Sequence, residues 1–218
     1  DLMTGFTLVN ILGGLLIVTS TVVVLARTAK KSALLYMLQS FVLVLLLLSL
    51  GFATESSELF LWSASAFVTK VVLVPGILLY TIKKLGESQE VVNETSPARS
   101  VAIIAIEVLV CFAAVKQVDL YTAAEVKPAL AISLAHFFIG LTCIISQRNI
   151  VKQIFGYCLM ENGSHVTLAL LAPHAPELVE IGIATDAIFA VLVMALVVRR
   201  IFRKTNSLDA NNLMELKG

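Results

Sequence analysis

The sequence predicts an all-α, polytopic integral membrane protein of about seven transmembrane helices, N-terminus outside and C-terminus inside. Three observations predict it. The chain is 58% hydrophobic with a mean hydropathy of +0.93, and only 14% of its residues are charged, where a soluble protein carries roughly 25%. Apolar runs long enough to cross a hydrocarbon core of about 30 Å recur along the whole length, and the short alternating segments of a β-barrel are missing. Lys and Arg fall almost entirely on alternate links: twelve lie on one side, and only Lys116 and Lys127 on the other.

The first helix is expected over Leu8–Ala26, ending at the basic link Arg27, Lys30 and Lys31. The second, Leu34–Ala53, ends near Glu55 and Glu58. The third, Leu59–Ile82, is bracketed by Trp62 and Tyr80, which read as interfacial anchors. Pro75 beside Gly76 frees a carbonyl within it and should bend it. The link 83–99 holds Lys83, Lys84 and Arg99 with Glu87, Glu90, Glu94 and Pro97, and reads as a surface loop. The remaining helices are expected over Ser100–Val118, Pro128–Ser146, Asn149–Leu171 and Pro176–Ile201. Arg148 marks the inner link between the fifth and sixth. Arg199, Arg200, Arg203, Lys204 and Lys217 mark the inner tail. The chain therefore divides into 1–99 (three helices and a loop), 100–127 (the fourth helix and an outer loop) and 128–218 (a three-helix module with its tail).

No basic stretch precedes the first apolar run and no small-residue cleavage site follows it, so no cleavable signal peptide is expected. Cys111, Cys143 and Cys158 lie in apolar segments without CxxC spacing, and they read as small core residues. No cofactor, metal or nucleic-acid partner is expected for this chain; its net charge near +1 by itself says nothing about partners.

Four ionisable residues sit where hydrocarbon should be. Lys70 is 13 residues from Lys83, His136 is 12 from Arg148, Glu161 is 13 from Arg148 and Asp186 is 13 from Arg199. At 1.5 Å per residue each lies roughly 18–20 Å from the inner charge layer, close to mid-membrane. A charge there costs roughly 2.5–3.5 kcal/mol on insertion scales, so such residues mark ion or proton traffic. Glu161 and Asp186 sit on helices joined by a short turn containing Pro173 and Pro176, and so fall at matching height on a hairpin. Desolvation favours the neutral acid and a nearby ammonium favours the carboxylate, so such a group loads and releases a proton as its neighbour's charge changes. His165, four residues after Glu161, lies on the same face toward the outer side. Glu180 is nearer still to that surface and reads as a mouth residue. Glu107 reads as a packing or subunit contact, and Lys152 as a side chain snorkelling to the inner surface. The weak helix formers Asn162, Gly163 and Ser164 suggest a loosened turn.

Three blocks resemble the hydrogenase-4 component E family: residues 61–70 (LWSASAFVTK), Gln147–Ile150 continued by 156–164 (GYCLMENGS), and 177–186 (ELVEIGIATD). The last three helices are also similar to subunit K of respiratory complex I and to the C subunit of multisubunit sodium/proton antiporters, through Gly140-Leu141-Thr142, Arg148-Asn149 and Gly156 to Asn162. Subunit K carries one glutamate in each of two adjacent helices on its proton path. Here the first of those positions falls on Cys158, with Glu161 one turn later. The second falls near Ala190, with Asp186 one turn earlier. In antiparallel helices both displacements point outward and the pair stays level.

The resemblance implies a subunit of a group 4 nickel–iron hydrogenase of the formate hydrogenlyase type, in the bacterial inner membrane. Its implied partners are antiporter-like membrane subunits, a membrane anchor like the H subunit of complex I, and peripheral hydrogenase and iron–sulfur subunits. The nickel–iron centre and iron–sulfur clusters would belong to those partners. The expected role is proton (or sodium) transfer, with Glu161 and Asp186 as loading sites, Lys70 modulating their charge, His136 and His165 as relays, and Glu180 at the mouth. Two alternatives stand beside it. One is a non-conducting scaffold between larger membrane subunits. The other is a self-standing transporter, against which there is no internal inverted repeat.

Overall fold

The computed structural model describes residues 2–86, 96–118 and 124–213. The acidic loop residues Glu87, Glu90 and Glu94, and Lys217 in the tail, lie outside the described residues.

Among the described residues seven long helices follow one another: α1 (Leu2–Leu25), α2 (Ala29–Thr54), α3 (Ser57–Leu85), α4 (Pro97–Lys116), α5 (Lys127–Ser146), α6 (Ile150–Leu171) and α7 (Glu177–Thr205). Most begin or end a few residues outside the apolar run, because polar caps set the ends. Thr28, Ser56 and Ser96 accept the N–H of Lys31, Leu59 and Arg99, and Asn149 accepts those of Val151 and Lys152, satisfying donors that a helix start leaves orphaned. Six of the seven are long and apolar enough to cross a membrane. α6 has the length, 22 residues, but spends its apolarity on Lys152, Glu161, Asn162 and His165. Among the described residues there is no strand beyond one isolated bridge, where the tail returns to the α5–α6 link: the Ile150 N–H donates to Leu208 O and the Ala210 N–H to Arg148 O.

The break expected at Pro75 takes a particular form. Phe67–Leu73 is a π-helical segment, and its closing N–H, at Val74, reaches back to Thr69 O. Pro75 has no N–H to give, and its ring crowds the carbonyl four residues earlier. Widening the preceding turns resolves both conflicts. The wide turn turns Thr69 and Lys70 inward while Phe67, Val68, Val72 and Leu73 stay on the surface.

α5 and α6 meet backbone to backbone. A Cβ on Gly140 would lie 2.3 Å from Met160 N, and one on Gly163 would lie 2.5 Å from Phe137 N, so only glycine permits this approach. α1 and α2 form a hairpin beside them, α3 packs on α2, and α7 closes the bundle against α3 and α6. α4 lies outside, packed on α5. Only 17% of the apolar stretch of α4 and 22% of that of α7 is buried, against 56% in α2. Those two helices present the faces that lipid or other proteins must cover.

The core is layered. One buried apolar cluster includes Leu16, Val42, Ala66, Ala131 and Val166; the other includes Val23, Tyr36, Val74, Ile139 and Leu159. Between the two, on five helices in turn, sit Ser20, Gln39, Lys70, His136 and Asn162, all buried.

Candidate functional site

The polar layer is one continuous hydrogen-bonded chain. The Lys70 ammonium, fully buried, donates to Glu161 Oε1 at 2.8 Å and to Asn162 Oδ1 at 2.9 Å. Asn162 Nδ2 donates to Gln39 Oε1 at 2.8 Å and to Ser40 Oγ at 3.3 Å. Gln39 Nε2 lies 3.1 Å from His136 Nε2, and Ser20 Oγ lies 2.7 Å from His136 Nδ1.

Chemistry fixes every donor. An ammonium has only protons to offer, so Asn162 must present its oxygen to Lys70 and its amide N–H to Gln39. Gln39 then has only its own amide N–H left for His136, whose Nε2 accepts. Ser20 donates its hydroxyl to Leu16 O, so the His136 Nδ1–H donates to Ser20 Oγ. The imidazole is thus held neutral, with its proton on Nδ1.

Glu161 stands where this chain meets an open cleft of about 290 Å³ between α6 and α7, lined by Tyr157, Glu161, Ser164, His165, Ile183 and Asp186. Asp186 is exposed on its far wall. The two carboxylates therefore share one cleft, and among the described residues Glu161 is the one of the two with a cation against it. Burying an ion pair is expensive, and removing one partner of a buried pair costs about 3–5 kcal/mol. The Asn162 contact to the ammonium is the kind of added hydrogen bond that offsets the desolvation.

His165 and Glu180 form a second pair. His165 Nε2 is 2.8 Å from Glu180 Oε2, with both side chains buried. Glu180 is therefore enclosed by the bundle. The Trp62 ring packs on His165 with centroids 5.6 Å apart and is itself fully buried, so it is not the interfacial anchor the sequence suggested: it faces α6 across the bundle. Tyr80 is the exposed one of that pair of aromatics.

Lys152 does not snorkel. It is fully buried, and its Nζ donates to Val23 O at 2.7 Å and Val24 O at 3.0 Å. It caps the last turn of α1, whose final carbonyls have no donor within the helix. Glu107 accepts a hydrogen bond from the Thr142 hydroxyl and ties α4 to α5. Cys111, Cys143 and Cys158 are buried free thiols. No group of three His, Cys, Asp or Glu side chains among the described residues could hold a metal.

Sequence reasoning missed Gln39, Ser40 and Ser20, and read Asn162 only as a loosened turn. Their polarity was visible, but a hydroxyl or amide within an apolar run carries no signal of depth comparable to a charge.

The architecture and its buried polar layer define a multi-pass helical membrane protein with ionisable side chains in the middle of its bundle. A family model described as NADH-ubiquinone/plastoquinone oxidoreductase chain 4L matches residues 128–218. Over 216 residues the chain is 51% identical to hydrogenase-4 component E of Escherichia coli (strain K12), covering 99% of this chain and all of that one, with the same figures for the Shigella flexneri protein. An uncharacterized protein of Mycobacterium tuberculosis (strain ATCC 25618 / H37Rv) is 25% identical over 211 residues, 96% of each chain. The chain belongs to the hydrogenase-4 component E family. No solved structure matches it.

Proposed function

We propose that this chain is a membrane subunit of a hydrogenase-4 complex of the formate hydrogenlyase type, in the bacterial inner membrane with its basic helix ends cytoplasmic, and that it moves protons at mid-membrane. The observation that carries the reading is the Lys70–Glu161 ion pair opening onto the cleft that also holds Asp186. In this reading Glu161 and Asp186 load and release protons, and Lys70 is the fixed positive charge that decides when Glu161 lets go. A proton arriving on Glu161 cancels the attraction that holds the Lys70 ammonium in place. The charge change then passes to Asp186 across the cleft. His165 with Glu180 is the link toward the end of the bundle near Pro176, and His136 completes the polar layer.

Partners supply the rest: antiporter-like membrane subunits, a complex I-like membrane anchor, and peripheral subunits with the nickel–iron and iron–sulfur centres. An exposed carboxylate on an apolar helix cannot face lipid at low cost, which supports a partner covering the α6–α7 cleft.

The test is formate- or hydrogen-dependent proton movement in membrane vesicles, comparing the unmodified protein with Glu161→Gln while a native gel follows complex assembly. Loss of proton movement with an intact complex is expected. Unchanged movement would leave the non-conducting scaffold as the better reading. Repeating the assay without sodium separates proton from sodium transfer.

A further inference from the structure

A second groove lies on the other side of α7. Ala195, on its wall, is nine residues on from Asp186, about two and a half turns, so the groove and the carboxylate cleft flank α7 on opposite sides. The groove runs between α3 and α7, has a volume of about 380 Å³, and is lined by Val72, Gly76, Ile77, Leu192 and Leu196 with Tyr80 and Arg199 at one end. From Val72 to Tyr80 it extends roughly 12 Å along α3. The wall is open at Gly76, where an added Cβ would meet nothing within 4 Å.

The polar end is strongly cationic. The Tyr80 ring has Lys84 Nζ and Arg199 Cζ each 5.7 Å from its centroid. Among the described residues no carboxylate lines the groove. The same helix ends carry Lys83, Arg200, Arg203 and Lys204 on the surface. Apolar walls at hydrocarbon depth ending at an arginine, a lysine and an aromatic ring match one chemistry: an acyl chain with an anionic headgroup.

We infer that the α3–α7 groove is a site for one anionic phospholipid, its acyl chain along Val72, Gly76 and Leu196 and its phosphate between Arg199 and Lys84. The inference does not rest on the proton-transfer reading, since it uses none of its residues. The two cations beside Tyr80, Arg199 on the groove wall and Lys84 next to it, favour an anionic over a zwitterionic headgroup, and the groove adds an apolar contact that either lipid can use.

The experiment is native mass spectrometry of the full chain in detergent with added phosphatidylglycerol or phosphatidylcholine of matched acyl length. Phosphatidylglycerol should be retained preferentially by the unmodified chain. Arg199→Gln and Lys84→Gln should each cut that preference by about fivefold, Arg200→Gln should leave it, and Gly76→Leu should weaken retention of both lipids. Equal retention of the two lipids would overturn the site, as would an equal loss from Arg200→Gln, which would mean only a generally basic surface. Because a variant can fail to fold, a photoreactive residue at Leu196 in the native membrane gives an independent reading. A phospholipid adduct supports the site, and an adduct to another protein alone overturns it.

Discussion

At the scale of single residues, the donor and acceptor pattern of the buried chain shows which groups orient their neighbours. Asn162 and Gln39 each accept through oxygen and donate through nitrogen. A proton arriving at an amide oxygen cannot leave from the amide nitrogen without passing through a high-energy imidic acid. The two amides therefore transmit orientation from Lys70 to His136, and they would insulate the imidazole from the proton transfer proposed at Glu161. The sequence alone offers His136 as a relay; the donor pattern also gives it a positioning role, accepting from Gln39 and donating to Ser20, and so holding Gln39, and through it Asn162, in register. His136→Gln in an assembled complex should then keep formate-dependent proton movement near the unmodified level, where Glu161→Gln abolishes it. Loss of movement in His136→Gln, with the complex intact, would restore the relay. The cost of that substitution should appear as stability instead, about 1–3 kcal/mol for a buried polar group left unsatisfied, read as a lower melting temperature.

At the scale of elements, two helices depart from regularity and both departures serve the polar layer. The π-helical turns of α3 place Lys70 against α6. The glycines of α5 and α6 let those backbones touch, which brings His136 and Asn162 within reach of the one amide between them, Gln39. Gly140→Ala forces a Cβ into Met160 N, so it should destabilise by about 1–3 kcal/mol or more through overpacking. Gly182→Ala meets nothing within 4 Å, and in a helix interior alanine is about 1 kcal/mol better than glycine. Thermal denaturation of the two variants should therefore shift in opposite directions. Equal shifts would mean that the α5–α6 contact is looser than its geometry indicates.

At the scale of the whole molecule, the bundle is finished on one side and open on another. Its polar layer is enclosed from Ser20 to Lys70 and emerges only at Glu161. The carboxylate Asp186 then stands exposed among Ile181, Phe189 and Val193 of α7, themselves exposed. Such a surface is stable in a membrane only when another protein or trapped water meets the carboxylate. Asp186→Cys should react readily with a polar maleimide in the isolated chain and be protected in the assembled complex. Equal reactivity in both would place the covering subunit elsewhere, leaving α4 as the other broad exposed face.

Local chemistry is legible in the sequence. Hydropathy and length set six of the seven helices, because backbone groups in hydrocarbon must be satisfied within the segment, and the seventh, α6, is legible by its length between two links. The depth of Lys70, His136, Glu161 and Asp186 can be counted because a helix rises by a constant amount per residue. Helix ends are less legible, since caps such as Thr28, Ser56 and Asn149 lie outside the apolar runs. The partners of each polar group come from the packed bundle alone. Lys70 meets residues 91 and 92 positions away, and His136 meets Ser20 across 116, separations that no local pattern encodes. Trp62 and Lys152 show the same limit: periodicity gives the depth of a side chain, while the neighbouring helix decides whether it faces water, lipid or the core.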